Sequence, residues 1–234
     1  MSLAGRLARS NLMYRRPDIY DHFADGDDGL AALVRQVVTD KPVGSVLDLG
    51  CGTGRHLAAV RQAFGCAAVG VDVQPGLIDY GQAAHPELEL LVGDIRSIRL
   101  DQQFDVVLCL GNSLSYQLTD ADTRAAAETF GAHTRPGGHV LVGTMLKPPL
   151  GGGRSALDDE FVAAEVESQS SWDADTRVVT TRRIWRHRDG RVDEDVMRRR
   201  VTPLDELTGL LGEAGFTDVA LAGRDEGFVV ARKV

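Results

Sequence analysis

The sequence predicts an α/β protein whose largely parallel sheet is covered by helices on both faces. Strand-like and helix-like patterns alternate through most of residues 40–145, which is the element order of a parallel sheet. Residues 104–110 are nearly all apolar, as expected of a central strand. Residues 46–57 lead from an apolar strand through alternating glycines into a helical pattern, so we expect a ligand on that turn.

The composition favours a domain that binds a small molecule. The 234 residues suffice for a single domain, 1–234, with a modest insertion. The formal net charge of −8 argues against a nucleic acid or a membrane surface as the partner. Three cysteines without paired metal-ligand spacing predict no metal site. No leader pattern and no apolar run of the ~20 residues that cross a membrane is visible, so we expect a cytoplasmic protein.

Residues 1–28 precede the first predicted strand and are interpreted as an N-terminal lid. They are basic and weakly helical up to Arg16, are broken at Pro17, and carry too little apolar periodicity to belong to the core. The alternative is a surface helix packed by its aromatic side chains, Tyr14, Tyr20 and Phe23.

The ligand-binding core is predicted over residues 29–147. Apolar residues at helical spacing predict a first helix over residues 29–39, which Pro42 and Gly44 end before the first strand. The later strands of the core are predicted over residues 67–71, 88–92, 104–110 and 139–144. Its other helices are predicted to start at Pro75 and to cover residues 120–133, the second followed by a turn at 135–138.

Residues 148–201 are predicted to form a small antiparallel insert. Residues 148–153 look like a flexible crossing, and three strand-like runs follow at 165–172, 177–188 and 191–201. Asp189 and Gly190 are a strong hairpin signal between the last two runs. Between residues 177 and 200 there are nine arginines against four acids, which could bind a phosphate or carboxylate of a substrate. The favoured interpretation is a solvated face or an oligomer contact, with a homodimer as the candidate assembly. The sequence does not decide whether two tryptophans form a wall of the acceptor pocket or belong to the sheet core, Trp172 and Trp185.

Residues 202–234 are predicted to complete the sheet. Thr202 as N-cap, Pro203 at the first helical position and Gly215 as the stop predict one more helix. Two closing strands are predicted over residues 217–222 and 227–232.

The glycine turn after the first strand is the most specific motif. A dinucleotide fingerprint needs its third glycine where Arg55 stands, and no Gly-Lys-Ser or Gly-Lys-Thr of a phosphate loop follows. Asp48, two places before alternating Gly50, Gly52 and Gly54, instead resembles the S-adenosylmethionine signature of class I methyltransferases. Bare glycines let the backbone approach the amino-acid moiety of that cofactor, while the Asp48 carboxylate can join the hydrogen bonds around its ammonium.

Two further acidic residues end later strands, where ligands of parallel sheets bind. Asp72 stands roughly twenty positions after Gly50, where a carboxylate accepts the ribose hydroxyl protons. Asp94 and Ile95 match the place where such enzymes bracket adenine.

Taken together, residues 40–145 resemble the class I S-adenosylmethionine-dependent methyltransferases. The resemblance implies a Rossmann-like seven-stranded sheet whose last strand is antiparallel, with S-adenosyl-L-methionine as the cofactor. The cofactor-binding residues that it implies are Asp48, Gly50, Cys51, Gly52, Gly54, Asp72, Val73, Asp94, Ile95, Leu110 and Gly111.

A narrower likeness reaches the flanking segments. Residues 18–23, the loop ending at Tyr116 and the insert resemble the N,N-dimethyltransferases of nucleotide-linked amino sugars in antibiotic biosynthesis, with glycine N-methyltransferase-like proteins as wider relatives. The resemblance implies that Tyr20 and Tyr116 flank the substrate amine, and we expect Asn112 to add a polar contact. Residues 24–29 depart from that family because ADGDDG replaces its basic glycine-arginine-lysine stretch, which weighs against the sugar nucleotide more than against methyl transfer.

The leading functional hypothesis is in-line methyl transfer to a small-molecule amine. Positioning and exclusion of water would supply most of the acceleration, and Tyr116, His22 or water would take the proton. His133 is expected to be structural because it ends a helix at the other edge of the sheet. The alternatives are a small-molecule O-methyltransferase and a non-catalytic protein that binds the cofactor. A nucleic-acid methyltransferase is disfavoured because the loop reads Gly-Asn-Ser-Leu rather than Asn-Pro-Pro-Tyr or Asp-Pro-Pro-Tyr.

Overall fold

The computed structural model describes residues 3–23, 29–149, 151–158, 163–223 and 227–234. Residues 24–28, the centre of the acidic stretch that departs from the amino-sugar family, lie outside the described residues. Among the residues that are described, no helix combines the length and the apolar character needed to cross a bilayer.

A seven-stranded sheet forms the centre of the fold. Its strands are β1 (Ser45–Leu49), β2 (Ala67–Asp72), β3 (Glu89–Val92), β4 (Phe104–Cys109), β5 (Thr134–Val142), β10 (Phe216–Ala222) and β11 (Phe228–Lys233). The spatial order is β10-β11-β5-β4-β1-β2-β3. Strand β1 pairs in parallel with β2 and β4, whereas β11 is antiparallel to β5 and β10. The predicted seven-stranded sheet with an antiparallel last strand is therefore confirmed.

Helices cover both faces of this sheet. They are α1 (Leu3–Ser10), α2 (Pro17–Phe23), α3 (Leu30–Val37), α4 (Arg55–Phe64), α5 (Pro75–Ala84), α6 (Asp120–His133) and α7 (Leu204–Glu213), with 3-10 helices at Leu12–Arg15 and Ser113–Tyr116. Successive side chains of β1 point to opposite faces, so Val46 packs with α3 and α4 while Leu47 packs with α6 and α7. The core is thus two apolar layers, one on each side of a buried sheet.

A second, antiparallel sheet forms the predicted insert. Its strands are β6 (Gly152–Asp158), β7 (Ala163–Asp173), β8 (Val178–His187) and β9 (Val192–Arg200), paired in that order. The predicted hairpin is present, with the His187 amide donating to the Arg191 carbonyl at 2.9 Å. The prediction of a flexible crossing over residues 148–153 is wrong from residue 152 onward, because β6 starts there as an edge strand. The glycines of this segment give no strand signal in the sequence, and the strand is ordered by its pairing with β7.

The N-terminal segment corrects two expectations. Pro17 begins α2 rather than breaking the chain, since its fixed φ and missing N–H suit the first helical position. Leu12 and Ile19 are buried against the insert with Trp185, so the segment has an apolar face of its own. Trp185 is therefore sheet core, whereas the side chain of Trp172 is 40% exposed.

Two boundaries near β5 and α7 also differ. Strand β5 already begins at Thr134, so the predicted turn at 135–138 is a bulge inside the strand, where the pairing register shifts against β4. Pro203, and not Thr202, is the N-cap of α7. The Thr202 hydroxyl accepts a hydrogen bond from Arg200 Nη1 at 3.2 Å instead of capping the helix.

Candidate active site

A cleft opens at the edge where the carboxyl ends of the parallel strands meet. The cavity that it encloses has a volume of about 50 Å³. The lining comes from the glycine turn, the segments after β2 and β3, the 3-10 helix after β4 and the N-terminal segment, namely Gly50, Asp72, Val73, Gln74, Asp94, Ile95, Ser113, Tyr116, Gln117, Leu3, Leu7 and Tyr14. The fold therefore brings five predicted cofactor residues and one predicted catalytic tyrosine to one cleft.

The glycine turn requires residues without side chains. Gly50, Gly52 and Gly54 have φ values of 91°, 59° and 82°, in the left-handed region that other residues rarely adopt. A Cβ atom at Gly50 would collide with the Ser113 side chain, and one at Gly52 would lie 2.5 Å from the Tyr20 hydroxyl. The turn is thus a bare backbone cradle in close contact with the 3-10 helix and the N-terminal segment.

Asp48 is a buried carboxylate without a full set of partners. Only 2% of it is exposed, and its Oδ1 has no hydrogen-bond partner among the residues that the structure describes. Burial, with the charge of Asp72 nearby, raises the pKa of Asp48 to about 7. Because an unpaired buried carboxylate is costly, its position under the glycine turn fits a cationic or hydrogen-bond-donating group of a ligand.

Asp72 is held in place by backbone donors. Its Oδ2 accepts from the Gly52 amide at 2.9 Å and its Oδ1 from the Gln74 amide at 2.8 Å. Burial raises the pKa of Asp72 in spite of these bonds. The carboxylate thus joins the glycine turn to the start of α5 and lines the cleft between them, which suits a hydroxyl-bearing ligand.

Asp94 lines the cleft but is already bound to a cation. Arg96 donates to both of its oxygens, with Nη2 at 2.6 Å from Oδ2 and Nε at 3.0 Å from Oδ1, and also reaches Asp122 at 2.7 Å. Burial alone would raise the pKa of Asp94, but the Arg96 bonds outweigh it and lower the pKa. Ile95 beside it is buried and apolar.

Three tyrosines form an aromatic cluster at the cleft. The Tyr14 ring centroid lies 6.0 Å from those of Tyr20 and Tyr116. Burial and the neighbouring phenols raise the pKa of Tyr14, and burial beside Asp72 raises the pKa of Tyr20. The Tyr116 hydroxyl donates to Met197 Sδ at 3.8 Å. The sequence predicts Tyr20 and Tyr116 as site residues and Tyr14 only as a packing residue. The one sequence signal for Tyr14 is that it is an aromatic residue in the same N-terminal segment.

Other predicted site residues lie away from the cleft lining. Asn112 has φ 64° and uses its backbone in the turn, donating from its amide to the Gly143 carbonyl at 3.1 Å. Ser113, next in the chain, lines the cleft instead. Leu110 and Cys51 are buried in the core below the turn, and Gly111 is exposed.

The two histidines singled out from the sequence are outside the cleft lining. His133 is buried, accepts a hydrogen bond from the Leu100 amide at its Nε2, and has Nδ1 2.8 Å from the Thr129 carbonyl. These bonds make it a structural residue of α6. His22 is exposed.

The N-terminal segment is bonded to the glycine turn. The Thr53 hydroxyl donates to Asp21 Oδ1 at 2.6 Å, and Arg55 Nη1 donates to the Asp21 carbonyl at 2.6 Å. Gln74 Nε2, at the start of α5, donates to the Ala4 carbonyl at 3.1 Å. Helix α2 is therefore bonded to the glycine turn and helix α1 to the residue that precedes α5.

The same segment is also bonded to the insert. Asp195 Oδ2, fully buried on β9, accepts from the Leu12 amide at 2.9 Å, from Trp185 Nε1 at 3.2 Å and from Arg183 Nη2 at 2.7 Å. One carboxylate therefore joins the N-terminal segment to two strands of the second sheet.

This combination of sheet, glycine turn and acidic residues resembles that of the class I methyltransferases. Residues 46–138 match the family model described as a methyltransferase domain. Over 93% of this chain and 95% of the other, the fold superposes on the solved CalS10, an amino pentose methyltransferase from Micromonospora echinaspora, with a TM-score of 0.80 and 24% identity. KedS8, a sugar N-methyltransferase from Streptoalloteichus, gives 0.80 at 22% identity over 92% and 91% of the two chains. The resemblance predicted from the sequence is confirmed.

The curated relatives that the sequence matches include N,N-dimethyltransferases of nucleotide-linked amino sugars. The chain is 34% identical over 146 residues, 62% of its length, to the dTDP-3-amino-3,4,6-trideoxy-alpha-D-glucopyranose N,N-dimethyltransferase of Streptomyces venezuelae. It is 33% identical over 133 residues, 53% of its length, to the dTDP-3-amino-3,6-dideoxy-alpha-D-glucopyranose N,N-dimethyltransferase of Streptomyces fradiae. The matched regions span 57% and 51% of these relatives, which is little more than half of their lengths.

Proposed function

We propose that this protein is an S-adenosylmethionine-dependent methyltransferase that methylates the amine of a small molecule of the amino-sugar class. The observation that carries the proposal is Asp48, whose Oδ1 is buried without a partner beneath a side-chain-free glycine turn. Asp72 lines the cleft together with Gly50, whereas Asp48 lies two residues before Gly50, outside the lining. The choice of an amine is supported by the named activities of the relatives in the two Streptomyces species.

The residues of the cleft fit the proposed cofactor. Asp48 and the backbone of the glycine turn would hold its amino-acid end, and Asp72 its ribose hydroxyls. Val73 and Ile95 would cover the adenine, with Asp94 near its amine. When bound, S-adenosylmethionine supplies a methyl group already activated by a sulfonium.

The chain's own contribution is positioning in a dry, polar-lined site. Tyr14, Tyr20 and Tyr116 present aromatic faces, which attract cations, and hydroxyls, which orient an amine. The raised pKa values of Tyr14 and Tyr20 keep these phenols protonated at neutral pH, so they act as hydrogen-bond groups rather than bases. The proton of the methylated amine then leaves through Tyr116 or water, since His22 is exposed and outside the cleft lining. The N-terminal segment excludes bulk water, which is the lid role predicted for residues 1–28.

Calorimetric titration with S-adenosylmethionine and S-adenosylhomocysteine tests the cofactor. We expect the wild type to bind both ligands and Asp72→Ala to bind them at least ~10-fold more weakly, because a charged hydrogen-bond partner of the ribose is lost. Asp79→Ala, which removes an exposed carboxylate on the neighbouring α5, is the matched control and should bind like the wild type. A folded wild type that binds neither ligand would refute the proposal.

Methyl transfer to matched acceptors tests the reaction. dTDP-linked 3-amino sugars and the corresponding 3-hydroxy sugars differ only in the acceptor atom, so transfer to the first set alone supports N-methylation. Transfer to the hydroxy sugars alone identifies an O-methyltransferase. Cofactor binding without transfer to any acceptor favours the non-catalytic alternative. The predicted homodimer remains a prediction that light scattering in solution can check.

A further inference from the structure

Arg199 on β9 is a partly buried arginine whose charge is not balanced by any carboxylate among the described residues. Its Nε is buried and has no hydrogen-bond partner among the described residues, and Nη2 makes one long hydrogen bond, 3.4 Å, to Thr181 Oγ1. Several other arginines of the insert form ion pairs, among them Arg182 with Glu194, Arg183 with Asp195, and Arg200 with Asp120 and Glu206. Because the buried Nε donor of Arg199 lacks an acceptor, an anion would complete the hydrogen bonds of this guanidinium.

The strand register places Arg199 close to the aromatic cluster. Met197, which accepts the hydrogen bond from Tyr116, lies two residues earlier on β9 and therefore on the same face of the sheet. That spacing corresponds to roughly 7 Å along a strand. The 3-10 helix that carries Tyr116 packs directly against β9.

Hydroxyl groups lie beside Arg199 on that face. Thr181 is opposite Met197 and hydrogen-bonds to Arg199, and its Oγ1 is 2.9 Å from the Ser170 hydroxyl. Trp172 and Val179 occupy the same row as Arg199 on the two neighbouring strands. A guanidinium with two hydroxyls next to an apolar wall is a suitable environment for an oxyanion.

We propose that Arg199, with Thr181 and Ser170, forms a subsite for an anionic group of the methyl acceptor, a phosphate or a carboxylate. The inference rests on the proposed function, which places the acceptor amine at Tyr116. The anionic group of the acceptor would then lie at Arg199, two residues beyond Met197 on β9. A local cation is needed there because the chain as a whole carries a net charge of −8 and repels anions. The acceptor is then an amine that carries a negative charge at its other end.

Calorimetric titration with inorganic pyrophosphate and with malonate tests the subsite. We expect the wild type to bind one of the two, and Arg199→Gln to bind it at least ~10-fold more weakly. Pyrophosphate identifies a phosphate subsite and malonate a carboxylate subsite. Arg198→Gln is the matched control, because Arg198 is exposed on the opposite face of the same strand and the charge change is identical. Unchanged binding in Arg199→Gln, equal losses in both variants, or no binding by the wild type would overturn the inference.

Two further measurements separate this inference from the proposed function. S-adenosylmethionine titrated into the same three proteins should bind equally, and a wild type that fails to bind it removes the proposed function and the acceptor role together. Cofactor binding with no Arg199-dependent anion binding removes the subsite alone. Thermal unfolding gives the second check: Arg199→Gln should unfold no lower than the wild type, and a marked loss of stability would show that Arg199 is structural.

Discussion

The ionisation of Asp48 links the stability of the ligand-free protein to pH. The pKa of its carboxyl is raised from 3.8 to about 7, so the folded protein holds this proton more tightly than the unfolded chain. The resulting destabilisation is absent at low pH, grows as pH rises from about 4 to 7, and is complete above 7, reaching about 4 kcal/mol.

Replacing Asp48 by Asn should therefore stabilise the ligand-free protein in a pH-dependent way. The variant keeps the shape of the side chain but cannot ionise, so its advantage should be small near pH 4 and largest at pH 8. Urea unfolding of both proteins at several pH values measures the difference. Parallel pH profiles would show that Asp48 does not titrate in this range. The same variant should lose affinity for S-adenosylmethionine, since the carboxylate facing the ammonium is gone.

Tyr14 should contribute to catalysis through its ring. It lies between Tyr20 and Tyr116, with ring centroids at 6.0 Å from both, and lines the cleft. Tyr14→Ala should lower kcat/KM by roughly 10- to 100-fold in the amine-methylation assay, whereas Tyr14→Phe, which keeps the aromatic face, should lose less. Tyr80→Phe on the exposed side of α5 is the control. Equal losses in the Phe and Ala variants would assign the role to the hydroxyl.

The sequence predicts those parts of the site that depend on local backbone requirements, and not those that depend on contacts between distant segments. The spacing of Asp48, Gly50 and Asp72 predicted a cofactor cleft because the backbone requirements of the turn are local. Tyr14 reaches the cleft only because its segment folds back over the glycine turn, and no local pattern encodes that contact. The Asp94 partnership with Arg96 depends on a side-chain conformation, which spacing does not determine.

At the scale of elements, the contact between α2 and the glycine turn depends on a buried hydroxyl. Thr53 is 1% exposed and donates to Asp21 across the two elements. Thr53→Val keeps the volume and removes the donor, which should cost roughly 1–3 kcal/mol of local stability because the Asp21 oxygen loses a partner. Hydrogen exchange of residues 17–23 should accelerate accordingly.

Thr208→Val provides the matched control for that experiment. Its hydroxyl donates to the Leu204 carbonyl at 2.7 Å on the exposed side of α7, and Thr208 is not part of the cleft lining. Exchange over residues 17–23 should be unchanged in this variant. If Thr53→Val also left hydrogen exchange over residues 17–23 unchanged, then α2 would be held by its apolar face alone.

Element prediction succeeded where one pattern dominated and failed where tertiary contacts decided. The extents of α6 and the start of α5 follow from the sequence, because a capped alanine-rich run and an N1 proline are strong local signals. Strand β6 has no such signal and is ordered by its pairing with β7. From the sequence, Pro17 could end one helix or begin the next, and only the packing of α2 distinguishes these two predictions.

At the scale of the whole molecule, cofactor binding should stabilise the folded state by mass action. S-adenosylmethionine at 100 times its Kd should add about 2.7 kcal/mol to the free energy of unfolding, since the unfolded chain has no cleft. For a domain of this size that corresponds to a rise in Tm of roughly 5–10 °C. Differential scanning fluorimetry measures the rise, and Asp72→Ala should show at most about half of it at the same cofactor concentration, since a Kd ~10-fold higher leaves about 1.4 kcal/mol. An equal rise in that variant would place the cofactor elsewhere.

The buried carboxylate of Asp195 makes the N-terminal segment and the insert one structural unit. It accepts from the Leu12 amide, Trp185 and Arg183, so neither piece can shift without breaking bonds to the other. The central sheet holds the turn and acids assigned to the cofactor. Of the residues assigned to the acceptor, Tyr14, Tyr20 and Arg199 lie on this unit, whereas Tyr116 lies on the 3-10 helix after β4. A chimera that exchanges acceptor preference between relatives would therefore need the N-terminal segment and the insert transplanted together. If the insert alone were transplanted, its strands would pack against an N-terminal segment from a different protein.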